Sequence, residues 1–188
     1  MNLGFMQKWP KHMGEWAGQP TYFPHKIWEH LFNVVEFKDY VACTTDHLLR
    51  FGNHWDMPVD SVAPKLHTMR EDPFNRWQAG NLIHFAINNQ TKNYFRFAPV
   101  ILCVSVQYVQ IIHDSDGRSV HIGNRPDYED CVPFYLDNGF SDDEEMYGMK
   151  EMEVFAQNDG FESIEHFFTW FNKSAKYKLI HWTTNLKY

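Results

Sequence analysis

Between Lys65 and Ile122 the chain is punctuated as a succession of short strands, with no helix pattern set between consecutive strands. That rhythm excludes the alternating strand–helix order of a parallel α/β sheet and predicts an α+β fold with a curled sheet. Lys65–Arg70 reads as a strand with a polar face, and Asn75–Gly80 as a turn. Asn81–Ile87 alternates, with Leu82 and His84 on one face and Ile83 and Phe85 on the other. Asn88–Lys92 is a polar hairpin loop. Val100–Ile112 is long for one strand, and its phase shifts at Tyr108–Gln110, which predicts a bulge or bend there. Asp114–Gly117 makes a turn into a short strand at Val120–Ile122, and Tyr177–Thr183 closes the set.

Helices are predicted on both sides of this section. Ile27, Leu31, Val34 and Val35 follow Pro24 at helical spacing, and proline suits a first helical turn. Tyr40, Val41, Leu48 and Leu49 suggest a second helix closed by Gly52. Met146, Met149 and Val154 mark a third within Glu144–Gln157. Phe161, Ile164, Phe168 and Phe171 form an amphipathic stripe, read as core. At 188 residues and 44% hydrophobic content, the chain fits one domain with a full core.

Charge limits the partners. The net charge is −7, so contact with nucleic acid must be local and not spread over the surface. Lys65, Arg70, Arg76, Lys92 and Arg96 form a basic strip, whereas Asp127 to Glu165 holds thirteen acidic residues against Lys150 alone. Cys43, Cys103 and Cys131 are odd in number and widely spaced, which suits a reducing, cytoplasmic setting and not a disulfide framework. The first residues lack an apolar signal core, and no stretch reaches the ~20 apolar residues of a membrane span. The glycine-rich, nucleophile-elbow and HExxH signatures of common enzymes are absent. No cofactor and no metal are expected, since His67, His84 and His181 lie far apart on predicted strands.

Three segments taken in order resemble the ASCH family of PUA-like domains. Pro64-Lys65-Leu66-His67-Thr68-Met69-Arg70 matches a Lys-x-x-Thr-x-Arg signature. Arg76–Phe85 is similar to the turn into the second barrel strand, and Asn158-Asp159-Gly160-Phe161 to an acid-Gly-Phe helix entry. The resemblance makes residues 1–188 a single domain with 33–63 as an insertion. It implies a small β-barrel of about five to six strands flanked by helices, and a ligand that is RNA or a modified nucleoside. Some members hydrolyse the acyl amide of acetylated cytidine through Lys, Thr and Glu. The resemblance lays Lys65, Thr68 and Asp159 on those positions and Arg70 on the signature arginine; Asp159 is one methylene shorter than the family's Glu.

The residues also carry their own chemistry. Thr68 and Arg70 share a strand face, whereas Lys65 joins them only where the strand twists or begins. A threonine nucleophile needs a base, which Lys65 supplies if burial lowers its pKa. Asp159 has a second reading as an N-cap, with Glu162 completing a capping box, and capping alone accounts for it. Arg76 and Trp77 suit phosphate holding and base stacking, or equally a half-buried hairpin with its cations at the rim. The functional expectations are therefore recognition of RNA or a modified nucleoside, amide hydrolysis of an acylated pyrimidine nucleoside, and docking of a basic protein through acidic Asp142–Glu145.

Overall fold

In the computed structural model, which describes residues 1–137, 148–184 and 186–188, the chain divides into two compact units. The first comprises Met1–Leu66 and Asn81–Leu102, and the second His67–Gly80 and Cys103–Tyr188.

The first unit holds β1 (Asn2–Phe5), α1 (Phe23–Leu31), α2 (Phe37–Phe51), β3 (Leu82–Ile87), β4 (Phe95–Arg96) and β5 (Ile101–Leu102). Strand β1 runs parallel to β3, and both β4 and β5 pair antiparallel with β3. Helix α1 starts with Pro24 in its first turn and turns Phe23, Ile27, Trp28 and Leu31 inward. It stops there, so Val34 lies beyond it and is exposed, against the longer helix predicted. Trp28 Nε1 donates to Phe97 O at 2.8 Å, which satisfies the polar atom of a fully buried ring. Helix α2 ends as predicted at Gly52, whose φ of 77° suits glycine.

The second unit is built on one antiparallel sheet in the order β2-β9-β6-β7-β8. Its strands are β2 (His67–Arg70), β6 (Ser105–Asp114), β7 (Gly117–Gly123), β8 (Val132–Leu136) and β9 (Ala175–His181). Along β6, Gln107, Val109 and Ile111 are buried in strict alternation, so no phase shift occurs at Tyr108. The long predicted strand instead breaks at Cys103–Val104, where the chain leaves the first sheet for the second. The register shift in this sheet falls in β7, between Val120 and His121. β9 lies between β2 and β6, and every residue from Tyr177 to His181 is buried.

Helices α3 (Met149–Asn158) and α4 (Ile164–Trp170) complete this unit. The phenylalanine stripe is core, as predicted, but only Ile164 and Phe168 of it are helical; Phe161 and Phe171 flank α4 and are buried. Phe155, Phe161 and Phe171 pack around Phe167 at 4.6–5.8 Å between ring centres.

The fold is α+β. Neither sheet closes into a barrel among the described residues, because the strands expected to form one barrel are divided between two open sheets. No helix among those residues is long and apolar enough to cross a membrane. The insertion expected at 33–63 holds α2.

Candidate functional site

Lys65 belongs to the first unit and is only 2% exposed. Its ammonium lies 4.8 Å from the ring centre of Phe23 and 5.9 Å from that of Phe5, within cation–π range. Its backbone N–H donates to Lys26 O at 2.9 Å, just before β2 begins at His67. The ammonium of a buried lysine needs such compensation, since few lysines are buried at all.

Thr68, Arg70 and Asp159 all belong to the second unit. Thr68 and Asp159 are each 2% exposed. Arg70 is half-buried at the end of β2 and donates from Nη1 to Met69 O at 2.9 Å. Burial pushes its guanidinium below the ordinary arginine range, and the negative charge of Asp159 pulls it back up. Asp159 does not cap a helix N-terminus: it is the C-cap of α3. The N-cap of α4 is Ser163, whose Oγ accepts from His166 N at 3.1 Å. The capping-box reading fails because α4 starts at Ile164, two residues beyond Glu162, which precedes the N-cap Ser163.

Around Tyr188 stands a polar cluster that sequence spacing did not reveal. Gln107 Nε2 donates to Tyr188 O at 2.6 Å, and Tyr188 N donates to Gln107 Oε1 at 3.1 Å. His181 Nε2 lies 3.1 Å from the same Oε1. Burial pushes the His181 imidazole down to about 4, so it is neutral near pH 7. As a neutral ring it donates from Nε2 to that oxygen and leaves Nδ1 as an acceptor. His181 Nδ1 is buried without a hydrogen-bond partner among the described residues. At the other end, Asn158 Nδ2 donates to the Tyr188 hydroxyl at 2.9 Å, and that hydroxyl lies 3.3 Å from His67 Nδ1. Burial and the nearby Asp159 charge hold the phenol above its ordinary pKa, so it keeps the proton it offers to His67. Four rings surround Tyr188, with centres at 4.8 Å (Phe155), 5.4 Å (His67), 5.6 Å (Phe134) and 6.1 Å (His181). The one legible sign was His67 and His181 on predicted strands; nothing in the spacing showed that they pair across β2 and β9.

Arg76 and Trp77 lie on a loop tied to β9. Trp77 is buried, and its carbonyl accepts from Lys178 Nζ at 2.5 Å. Arg76 is exposed and sits 3.6 Å from Asp72, whose carboxylate also accepts from Trp77 N at 2.7 Å and lies 3.4 Å from the Lys178 ammonium. Burial raises the Asp72 carboxyl, and these donors more than offset it, leaving it below its ordinary value. Beside this loop opens a cleft of about 470 Å³, lined among others by Asp72, Tyr108, Tyr128, Lys176 and Lys178. Its two tyrosines meet edge to face at 5.3 Å. Lys176 lies 4.7 Å from the ring centre of Tyr128, and Lys178 5.4 Å from that of Tyr108.

No group of three or more His, Cys, Asp or Glu is placed to hold a metal ion among the described residues. The acidic run Asp142–Glu145 lies outside the described residues. The chain matches no family model, no curated protein and no solved structure.

Proposed function

We propose that this is an ASCH-like domain, of the PUA-like class, that recognises RNA or a modified nucleoside through its second unit. One observation carries the reading. Thr68, Arg70 and Asp159, nominated from segments far apart in sequence, fall within a single unit, where buried Asp159 acts electrostatically on Arg70. A guanidinium held in this way suits an anionic or carbonyl oxygen of a ligand. The cleft at Tyr108 and Tyr128 adds aromatic rings and the exposed Lys176 ammonium, groups of the kind that contact bases and phosphates. Its volume lies within the range of small-molecule sites. The likeness to PUA-like domains rests on the signature residues and on a five-stranded sheet accompanied by helices, and does not extend to barrel closure. A reducing, cytoplasmic setting belongs to the same proposal, with Cys43, Cys103 and Cys131 as free thiols.

The test is titration calorimetry at low salt with acetylated cytidine, cytidine and a short single-stranded RNA. Saturable binding, weakened roughly tenfold or more by Arg70→Ala, supports the reading. Absence of binding to all three ligands overturns it.

A second reading is hydrolysis of the acyl amide of such a nucleoside, and the burial of Lys65 favours it. A buried lysine can be tuned to act as a base at neutral pH. Deacetylated cytidine formed by the native protein, and abolished by Lys65→Ala and by Thr68→Ala, supports this reading. Turnover that survives both changes disposes of it.

A further inference from the structure

We propose that the cage around Tyr188 is the base-binding pocket of this protein, that Tyr188 is its resident competitor, and that a pyrimidine nucleoside binds by displacing it. The inference rests on the nucleoside-recognition reading and names the ligand position and the device that guards it.

The chemistry of the cage is the argument. The Gln107 side chain offers one acceptor and one donor side by side, and both are engaged by the N–H and O of a single residue, Tyr188. Every pyrimidine base carries a donor and an acceptor side by side on its pairing edge, so it can replace that residue bond for bond. The Tyr188 ring meets Phe155 and Phe134 edge to face, with centres at 4.8 and 5.6 Å, and so fills a space that takes a flat ring. Single-stranded bases are recognised by aromatic side chains together with hydrogen bonds along the pairing edge, and in this cage the aromatic contact is edge to face. At the far end, Asn158 and His67 already hold a hydroxyl, and a ribose hydroxyl can take the same bonds. Gln107 is 1% exposed, and His67 and His181 are 0% exposed, so the polar groups are built into the sheet and are not surface residues that happen to meet. His181 Nδ1 remains as an acceptor that Tyr188 does not use. A ligand with one more donor than Tyr188 gains a bond there, which gives it an advantage over the resident side chain.

A pocket occupied by a residue of the same chain binds ligand only in the fraction of molecules where that residue is out. Tyr188→Ala removes the ring and hydroxyl of the competitor, reduces its hold to the two main-chain bonds at Gln107, and leaves Gln107, His181, Asn158 and the surrounding rings in place. The experiment is titration of native protein, Tyr188→Ala and Tyr188→Ala/Gln107→Leu with uridine, cytidine and acetylated cytidine. Hydrogen exchange at the Tyr188 amide of native protein, with and without saturating nucleoside, is measured alongside it.

Affinity that rises roughly tenfold or more in Tyr188→Ala and falls away in the double variant supports the proposal. Loss of exchange protection at the Tyr188 amide on ligand addition supports it without any substitution. Equal affinity of native protein and Tyr188→Ala, with the Tyr188 amide still protected, overturns the cage as the ligand position and leaves nucleoside recognition standing. Absence of binding to every form overturns both. If Tyr188→Ala fails to fold, the exchange measurement on native protein decides alone.

Discussion

Gln107 holds Tyr188 by both of its main-chain polar atoms, at 2.6 and 3.1 Å, from a β6 position that is 1% exposed. A buried glutamine amide is costly unless both of its ends are satisfied. Tyr188 satisfies them, with His181 as a second donor to Oε1. Gln107→Leu therefore strands Tyr188 N and O and the donor of His181 together, and should cost about 1–3 kcal/mol of stability. Urea unfolding of the variant beside native protein measures this. A loss below a few tenths of a kcal/mol would mean that the segment carrying Tyr188 is not held through Gln107.

His181 makes stability depend on pH. Its folded pKa of about 4 lies below the ordinary 6.5, so the unfolded chain binds the proton more readily. The neutral-ring stabilisation is complete above the unfolded pKa and is lost as pH falls from 6.5 toward 4. The full loss is on the order of 3 kcal/mol, at about 1.4 kcal/mol per pKa unit. Unfolding free energies at pH 6.5 and 4.5 should converge in part for native protein and His181→Gln. A pH dependence unchanged by the substitution would contradict the account.

Arg118 ties three elements of the second unit together. It donates to Asp137 at 2.6 and 3.1 Å and to Glu165 at 2.6 and 2.9 Å, while its guanidinium stands 4.5 Å from the ring centre of Phe168. The Arg118 hydrogen bonds hold both carboxyls below their ordinary pKa values. For depressed carboxyls the stabilisation is present above the unfolded pKa and is lost as pH falls through the lower folded values. Arg118→Ala should cost about 1–2 kcal/mol at pH 7, with most of the effect at the half-buried Asp137 and little at exposed Glu165. The difference from native protein should shrink as pH falls below about 4. Thermal melts across that range test it, and a gap independent of pH would show that the charge pairing is not what Arg118 contributes.

The sequence made some of this plain and could not show the rest. The strand at Leu82–Ile87 was legible because alternation and turn residues agree there, whereas β7 starts at Gly117, three residues before the predicted Val120. The cap at Gly52 was legible because few residues other than glycine adopt that backbone conformation. The break at Cys103–Val104 was hidden, since apolar residues continue on both sides as the chain changes sheets. β8 was missed because Pro133 argues against a strand, and it is tolerated there at the sheet edge. For the site, the Lys-x-x-Thr-x-Arg spacing drew attention to β2, but the meeting of Gln107, His181 and Tyr188 depends on sheet order. No local pattern reports that order.

Gly148 is fixed by space as well as by angle. It precedes α3 with φ of 72°, and a Cβ there would collide with Phe134 O. Gly148→Ala should destabilise the protein by about 2 kcal/mol or more, from left-handed backbone cost and a backbone clash together. A denaturation midpoint unchanged from native would contradict this placement of α3 against β8.

The proposed recognition of a nucleoside rests on Arg70, which lies in the second unit together with Thr68 and Asp159. Its most direct measurement is calorimetric titration of acetylated cytidine into native protein and into Arg70→Ala, with folding of both verified by circular dichroism. Saturable binding by native protein that weakens roughly tenfold or more in the folded variant is the predicted result. No heat of binding in native protein, or binding indifferent to Arg70, would contradict the account.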